Sequence, residues 1–96
     1  MKVTVKSIHF DATEKLEAFI SKKAEKIAKH NEELTEMEVT LKVVKPETAL
    51  NKECAVKLKG GDADLFASKI ADTFEEAYDL ALDALKRQLE KSKGKK

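Results

Sequence analysis

The sequence predicts an α+β domain of order β-α-β-β-β-α, with two helices packed on one face of a four-stranded sheet. Three observations predict it. Apolar residues recur at every second position in three stretches and at three- and four-residue steps in two others. The 96 residues, 42% hydrophobic and 39% charged, suit one domain, whose thin two-layer core buries roughly 60–65% of the unfolded surface. No Pro- or Gly-rich linker and no internal repeat interrupts the pattern.

Val3 and Val5 alternate with Lys2, Thr4 and Lys6, the period of a strand with one wet face. At Phe10-Asp11-Ala12-Thr13-Glu14 the period changes. Asp11 or Thr13 can cap a helix, and Glu14 suits its positive end. Leu16, Phe19, Ile20, Ala24 and Ile27 then mark an amphipathic helix over residues 13–30, which His30-Asn31 ends, asparagine tolerating the left-handed conformation of C-terminal caps. Met37, Val39, Leu41 and Val43 return to period two until Lys45-Pro46 stops the strand. Cys54, Val56 and Leu58 make a third strand, and Gly60-Gly61 a hairpin turn that uses positive φ. A fourth strand follows over about residues 64–70, and its alternation does not fix a register. Asp72 and Thr73 each precede a glutamate by three residues (Glu75, Glu76), a doubled capping box. Phe74, Ala77, Tyr78, Ala81, Leu82, Leu85 and Leu89 carry the second helix to about Lys91, and residues 92–96 read as a frayed basic tail. The first two strands need a crossover through the first helix, so that pair is expected to be parallel and the rest antiparallel.

Composition excludes several functions. No run nears the roughly 18 apolar residues of a membrane span, and no signal-peptide core is expected at the N-terminus. A single cysteine, Cys54, allows neither an internal disulfide nor a thiolate zinc cage, and its place among core positions makes it a buried hydrophobe. Tyr78 lies on the apolar stripe and reads as core. His9 and His30 have no partner at metal or triad spacing, and Gly60-Gly61 lacks the lysine and helix of a phosphate loop. No enzyme activity, cofactor, metal or small-molecule substrate is expected, and the free chain is expected to be a monomer in the cytoplasm.

Charge points elsewhere. The net charge is +1, but from Lys86 to Lys96 six basic residues face only Glu90, a local +5 that leaves −4 for residues 1–85. At about 100° per residue, Lys15, Lys22, Lys26 and Lys29 form a stripe about 60° wide on the first helix. Lys23 lies beside it, and Glu14, Glu17 and Glu25 share another flank. On the second helix Asp72, Glu75, Glu76, Asp79 and Asp83 precede Lys86, Arg87, Lys91 and Lys93, an order that helix-dipole complementarity alone also produces. If the helices lie side by side, their basic residues border one groove able to hold a phosphate backbone. The opposite sheet face, with Lys2, Thr4, Lys6, Glu38, Thr40, Lys42, Lys57 and Lys59, is polar and has no aromatic row for stacking bases.

Several motifs resemble the short form of the ribosome hibernation promoting factor and protein Y (ribosome-associated inhibitor) family. Ala12-Thr13-Glu14-Lys15-Leu16 with Phe19-Ile20 is similar to that family's helix opening, and Lys22-Lys23-Ala24-Glu25-Lys26-Ile27 to its continuation. Gly60-Gly61 with Leu65-Phe66-Ala67-Ser68 fits the family hairpin. Ala77-Tyr78-Asp79 and Asp83-Ala84-Leu85-Lys86-Arg87-Gln88-Leu89-Glu90-Lys91 are similar to its second-helix signature. The resemblance implies a double-stranded-RNA-binding-like fold that binds small-subunit ribosomal RNA in the decoding channel. It also implies that the bound protein blocks mRNA and tRNA sites in stationary or stressed cells. It assigns rRNA contacts to Lys23, Lys26, Arg87, Lys91 and Lys93, and the charge pattern adds Lys22 and Lys86. Residues 1–91 would be the ribosome-binding domain and 92–96 its tail. Ala84 stands where members often carry lysine and Glu17 where they often carry arginine, which bears on binding strength. No second domain of the long form is expected, so pairing of ribosomes would need another factor. A general structured-RNA binder and a protein-interaction module remain as alternatives.

Overall fold

A seven-residue stretch with valines at alternate positions forms the first strand, β1 (Lys2–Ile8). In the computed structural model it is followed by α1 (Glu14–His30), β2 (Glu36–Val43), β3 (Lys52–Gly60), β4 (Ala63–Ala71) and α2 (Phe74–Gly94). The structure describes residues 1–8, 11–44, 51–61 and 63–94, and of residues 63 and 92–94 the backbone only. The expected strand stop at Lys45-Pro46, the reading of His9 and the last two lysines lie outside the described residues.

The strands lie in sequence order in one sheet. β1 and β2 are parallel, with Val3 opposite Met37 and Val5 opposite Val39. The other two pairs are antiparallel. The crossover through α1 therefore produces the expected mixed sheet.

Both helices cover one face. Ile20, Ala24 and Ile27 of α1 meet Met37, Val39 and Leu41 of β2, Cys54, Val56 and Leu58 of β3, and the Ala77–Leu89 stripe of α2 in one core. Tyr78 lies at its centre, fully buried, its ring edge-on to Phe19 at 6.1 Å. A buried hydroxyl is costly unless bonded. Here Tyr78 Oη donates to the Ile20 carbonyl at 2.8 Å, which ties α2 to α1. Burial pushes the Tyr78 hydroxyl well above its usual range, with Cys54 and Asp79 adding to the effect. It likewise pushes the Cys54 thiol up to about 12, helped by the adjacent Glu53, so the side chain is the inert core residue its position implied.

Four local details differ from the sequence reading or sharpen it. Asn31 does end α1, but with φ −142° and not in the left-handed region. Its side chain supplies the cap: Nδ2 donates to the Ile27 carbonyl at 3.0 Å, and the backbone N–H to Ala28 at 3.2 Å. Thr73 caps α2 by accepting from the Glu76 N–H at 3.1 Å. Next, α2 runs three residues past Lys91 to Gly94, since Ser92 and Lys93 do not break a helix and the first poor helix former after Leu89 is the glycine.

The fourth detail concerns β4. Pairing of Gly60 with Ala63 across the turn sets Leu65 opposite Leu58 and Ala67 opposite Val56, which turns Phe66 and Ile70 outward. They are 58% and 47% exposed, so the outer face, otherwise polar apart from Ile8 at the end of β1, is partly apolar on β4. Its first cross-strand row, Lys2, Glu36, Lys59 and Asp64, alternates in sign and favours this register.

Candidate nucleic-acid interface

Each helix is started by a threonine. Thr13 Oγ1 accepts from the Leu16 N–H at 3.1 Å, and the acidic first turns of α1 (Glu14, Glu17) and α2 (Glu75, Glu76) complement the positive ends of the helix dipoles. The cross-helix contacts then fix the relative direction. Ile20 faces Tyr78, Lys23 faces Asp79, and Lys26 and His30 share a groove with Lys86 and Glu90. The two helices thus run parallel, and their basic C-terminal ends, with Lys29 and His30 on α1 and Lys86, Arg87 and Lys91 on α2, come together at one end of the domain.

The groove between them has a volume of about 390 Å³. Buried Ile27 and Leu89 form its floor, exposed Lys26, His30, Lys86 and Glu90 its rim, and the capping Asn31 one end. An apolar floor with a lysine on each wall can take the sugar edge of a nucleic-acid strand while the lysines meet its phosphates, with Glu90 an acidic group on the same rim. Lys22, Lys26 and Lys29 extend along α1 with Glu25 among them, and Arg87 and Lys91 along α2, the latter pair sharing its surface with Glu90.

The seven cations expected from the sequence are therefore not equivalent. Lys26 and Lys86 are brought together across the groove, and Lys22 and Lys91 flank it. Lys23 turns toward α2, its Nζ 3.3 Å from Asp79 Oδ1 and 5.4 Å from the centre of the Phe19 ring. Arg87 is paired one turn back with Asp83 at 3.0 Å. The Lys93 side chain lies outside the described residues. His30 lines the groove although the sequence reading assigned it no role. Its four-residue spacing from Lys26 was the available signal. Among the described residues no group of three or more His, Cys, Asp or Glu side chains is placed to hold a metal ion, and no helix is long and apolar enough to cross a membrane.

The sequence matches the family model described as Sigma 54 modulation protein / S30EA ribosomal protein over residues 3–96. The chain belongs to this family. It is the ribosome-associated hibernation family that the motifs of both helices resemble. A ribosomal subunit interface protein from Coxiella burnetii has the same fold with a TM-score of 0.86 and 21% identity, over 99% of this chain and 100% of that one. The N-terminal domain of Protein Y from Thermus thermophilus matches with a TM-score of 0.79 and 14% identity, over 95% and 98% of the two chains. At these identities the likeness is one of fold. No curated protein sequence matches the chain significantly.

Proposed function

We propose that this protein is a non-catalytic translation inhibitor of the cytoplasm that binds the small ribosomal subunit and silences it by occlusion. In this reading the basic helix ends meet phosphates of folded ribosomal RNA in the decoding channel, and the bulk of the domain excludes mRNA and tRNA. Residues 1–91 are the binding domain, and the basic residues from 92 to 96 extend its reach along the RNA. Stationary or stressed cells, in which ribosomes stand idle, are where such a protein would act.

The observation that carries the reading is the groove shared by two parallel helices, with Lys26 facing Lys86, in a chain that belongs to a ribosome-associated family. Several modest phosphate contacts on a rigid frame add up to firm but salt-sensitive binding, and electrostatic steering speeds the encounter. The frame is held by the core that α1 and α2 share, and the buried Tyr78–Ile20 hydrogen bond is one of the ties between them.

The test is charge reversal away from the core. Lys26 and Lys91 are both exposed, so Lys26→Glu combined with Lys91→Glu leaves the thermal melt nearly unchanged and abolishes co-sedimentation with small subunits. Retained co-sedimentation in that variant sinks the groove model. Equal binding of bare duplex RNA and ribosomes points instead to a general RNA binder.

A further inference from the structure

The sequence treats Lys23 and Arg87 as equals of Lys26 and Lys86, and the geometry separates them. Lys23 is held by Asp79 and Arg87 by Asp83, whereas Lys22, Lys26, Lys86 and Lys91 form no ion pair among the described residues. Asp79 and Asp83 stand one turn apart on α2, and their side chains are 49% and 58% exposed. Ion pairs this exposed contribute little to fold stability. Neither carboxylate lines the groove, where Glu90 is the acidic group; each instead governs how available a neighbouring cation, Lys23 or Arg87, is to a phosphate.

A phosphate backbone attracts cations whatever its sequence, and this indiscriminate term dominates non-specific binding. A fixed negative charge opposes that term wherever a phosphate approaches the cations it holds, here Lys23 and Arg87, and bears much less on an RNA seated in the groove, which neither pair lines. Asp79 acts in two ways. It repels an incoming phosphate, and it occupies Lys23, which the Phe19 ring also holds from one side. Asp83 does the same for Arg87 on the exposed ridge of α2.

We propose that Asp79 and Asp83 are specificity-determining residues of the RNA-binding face. They withhold Lys23 and Arg87 from arbitrary phosphates, so that only an RNA surface shaped to fill the Lys26–Lys86 groove binds firmly. The inference rests on the reading that this groove takes folded ribosomal RNA.

The experiment compares the wild-type chain with Asp79→Asn/Asp83→Asn on two probes: a short RNA duplex of arbitrary sequence, by fluorescence anisotropy, and purified small subunits, by co-sedimentation. Asparagine is nearly isosteric with aspartate, and both positions are exposed, so the thermal melt serves as the control for folding. Duplex binding should tighten about tenfold at low salt, and small-subunit binding by less than about threefold. Lys23→Gln should have little effect on duplex binding in the wild-type background and reverse part of the gain in the asparagine background. Asp79→Glu, which keeps the charge, should restore rejection of duplex. Unchanged duplex affinity, or an equal gain on both probes, overturns the inference while leaving the ribosomal reading standing. If the wild-type chain fails to bind small subunits at low salt, the ribosomal reading falls and this inference with it.

Discussion

Replacing Gly60 by alanine should damage this fold more than the same change at Gly61, although only Gly61 has a positive φ, at 54°. A Cβ on Gly60 would meet the Glu33 carbonyl oxygen and the Leu34 Cα, and would lie 2.7 Å from the Thr35 nitrogen. All three are backbone atoms, so no side chain can rotate aside. The 31–35 segment is itself tied down. Leu34 N–H donates to Asn31 at 3.0 Å, Thr35 N–H to Lys59 at 2.8 Å, and the Thr35 carbonyl accepts from Lys2 at 2.9 Å. Relieving the clash costs about 1–3 kcal/mol for overpacking, and about 1 kcal/mol for each of the two Thr35 hydrogen bonds that break. The sum, about 3–5 kcal/mol, is a large part of the roughly 5–15 kcal/mol that stabilises a small domain. A Cβ on Gly61 meets only the Glu33 side chain, Cβ at 3.5 Å and Cγ at 3.8 Å, both ordinary contacts, and pays about 1–2 kcal/mol for its backbone conformation. Thermal melts followed by circular dichroism should therefore show Gly61→Ala lowered by roughly 4–16 °C and Gly60→Ala by about two to three times as much. A Gly60→Ala melt within a few degrees of wild type, or a larger loss at Gly61, refutes the reasoning.

Two further outcomes follow from the core. Tyr78→Phe removes the hydroxyl bonded to the Ile20 carbonyl and should lower stability by about 1–2 kcal/mol in urea unfolding, with co-sedimentation on small subunits retained when the variant is folded. Cys54 has a folded-state pKa raised to about 12 from 9.0, so the unfolded chain releases its proton first and stability falls as pH rises from about 9 to about 12. Tyr78 shifts in the same direction, so Cys54→Val should make the alkaline loss shallower in melts between pH 8 and pH 11 without abolishing it. The same burial predicts that a thiol reagent labels Cys54 only after unfolding.

Much of the fold was legible because two periodicities dominate it. Apolar alternation in β1, β2 and β3 and the three- and four-residue steps of α1 and α2 each leave one solution for the buried face, and the crossover through α1 then makes β1 and β2 parallel. β4 was less legible because it carries apolar residues on both faces. The larger Phe66 and Ile70 face out, since the hairpin register, not side-chain size, decides which set is buried. Gly60 misled in another way: its need for glycine comes from a segment twenty-five residues or more distant in sequence, which no local turn rule sees. At the candidate site, the charge pattern located the surface but not its internal order. The Asp83–Arg87 pair lay at visible helical spacing, whereas Lys23–Asp79 exists only because α1 and α2 pack in parallel.

The central claim, that the basic groove binds the small subunit through ribosomal RNA, is tested most directly by co-sedimentation of the wild-type chain with purified subunits over a salt series. The account predicts pelleting with the small subunit and not the large one, displacement by tRNA, and a logarithmic salt slope of about −3.5 to −4.5 for about five phosphate contacts. No pelleting at low salt, or pelleting indifferent to salt and tRNA, contradicts it.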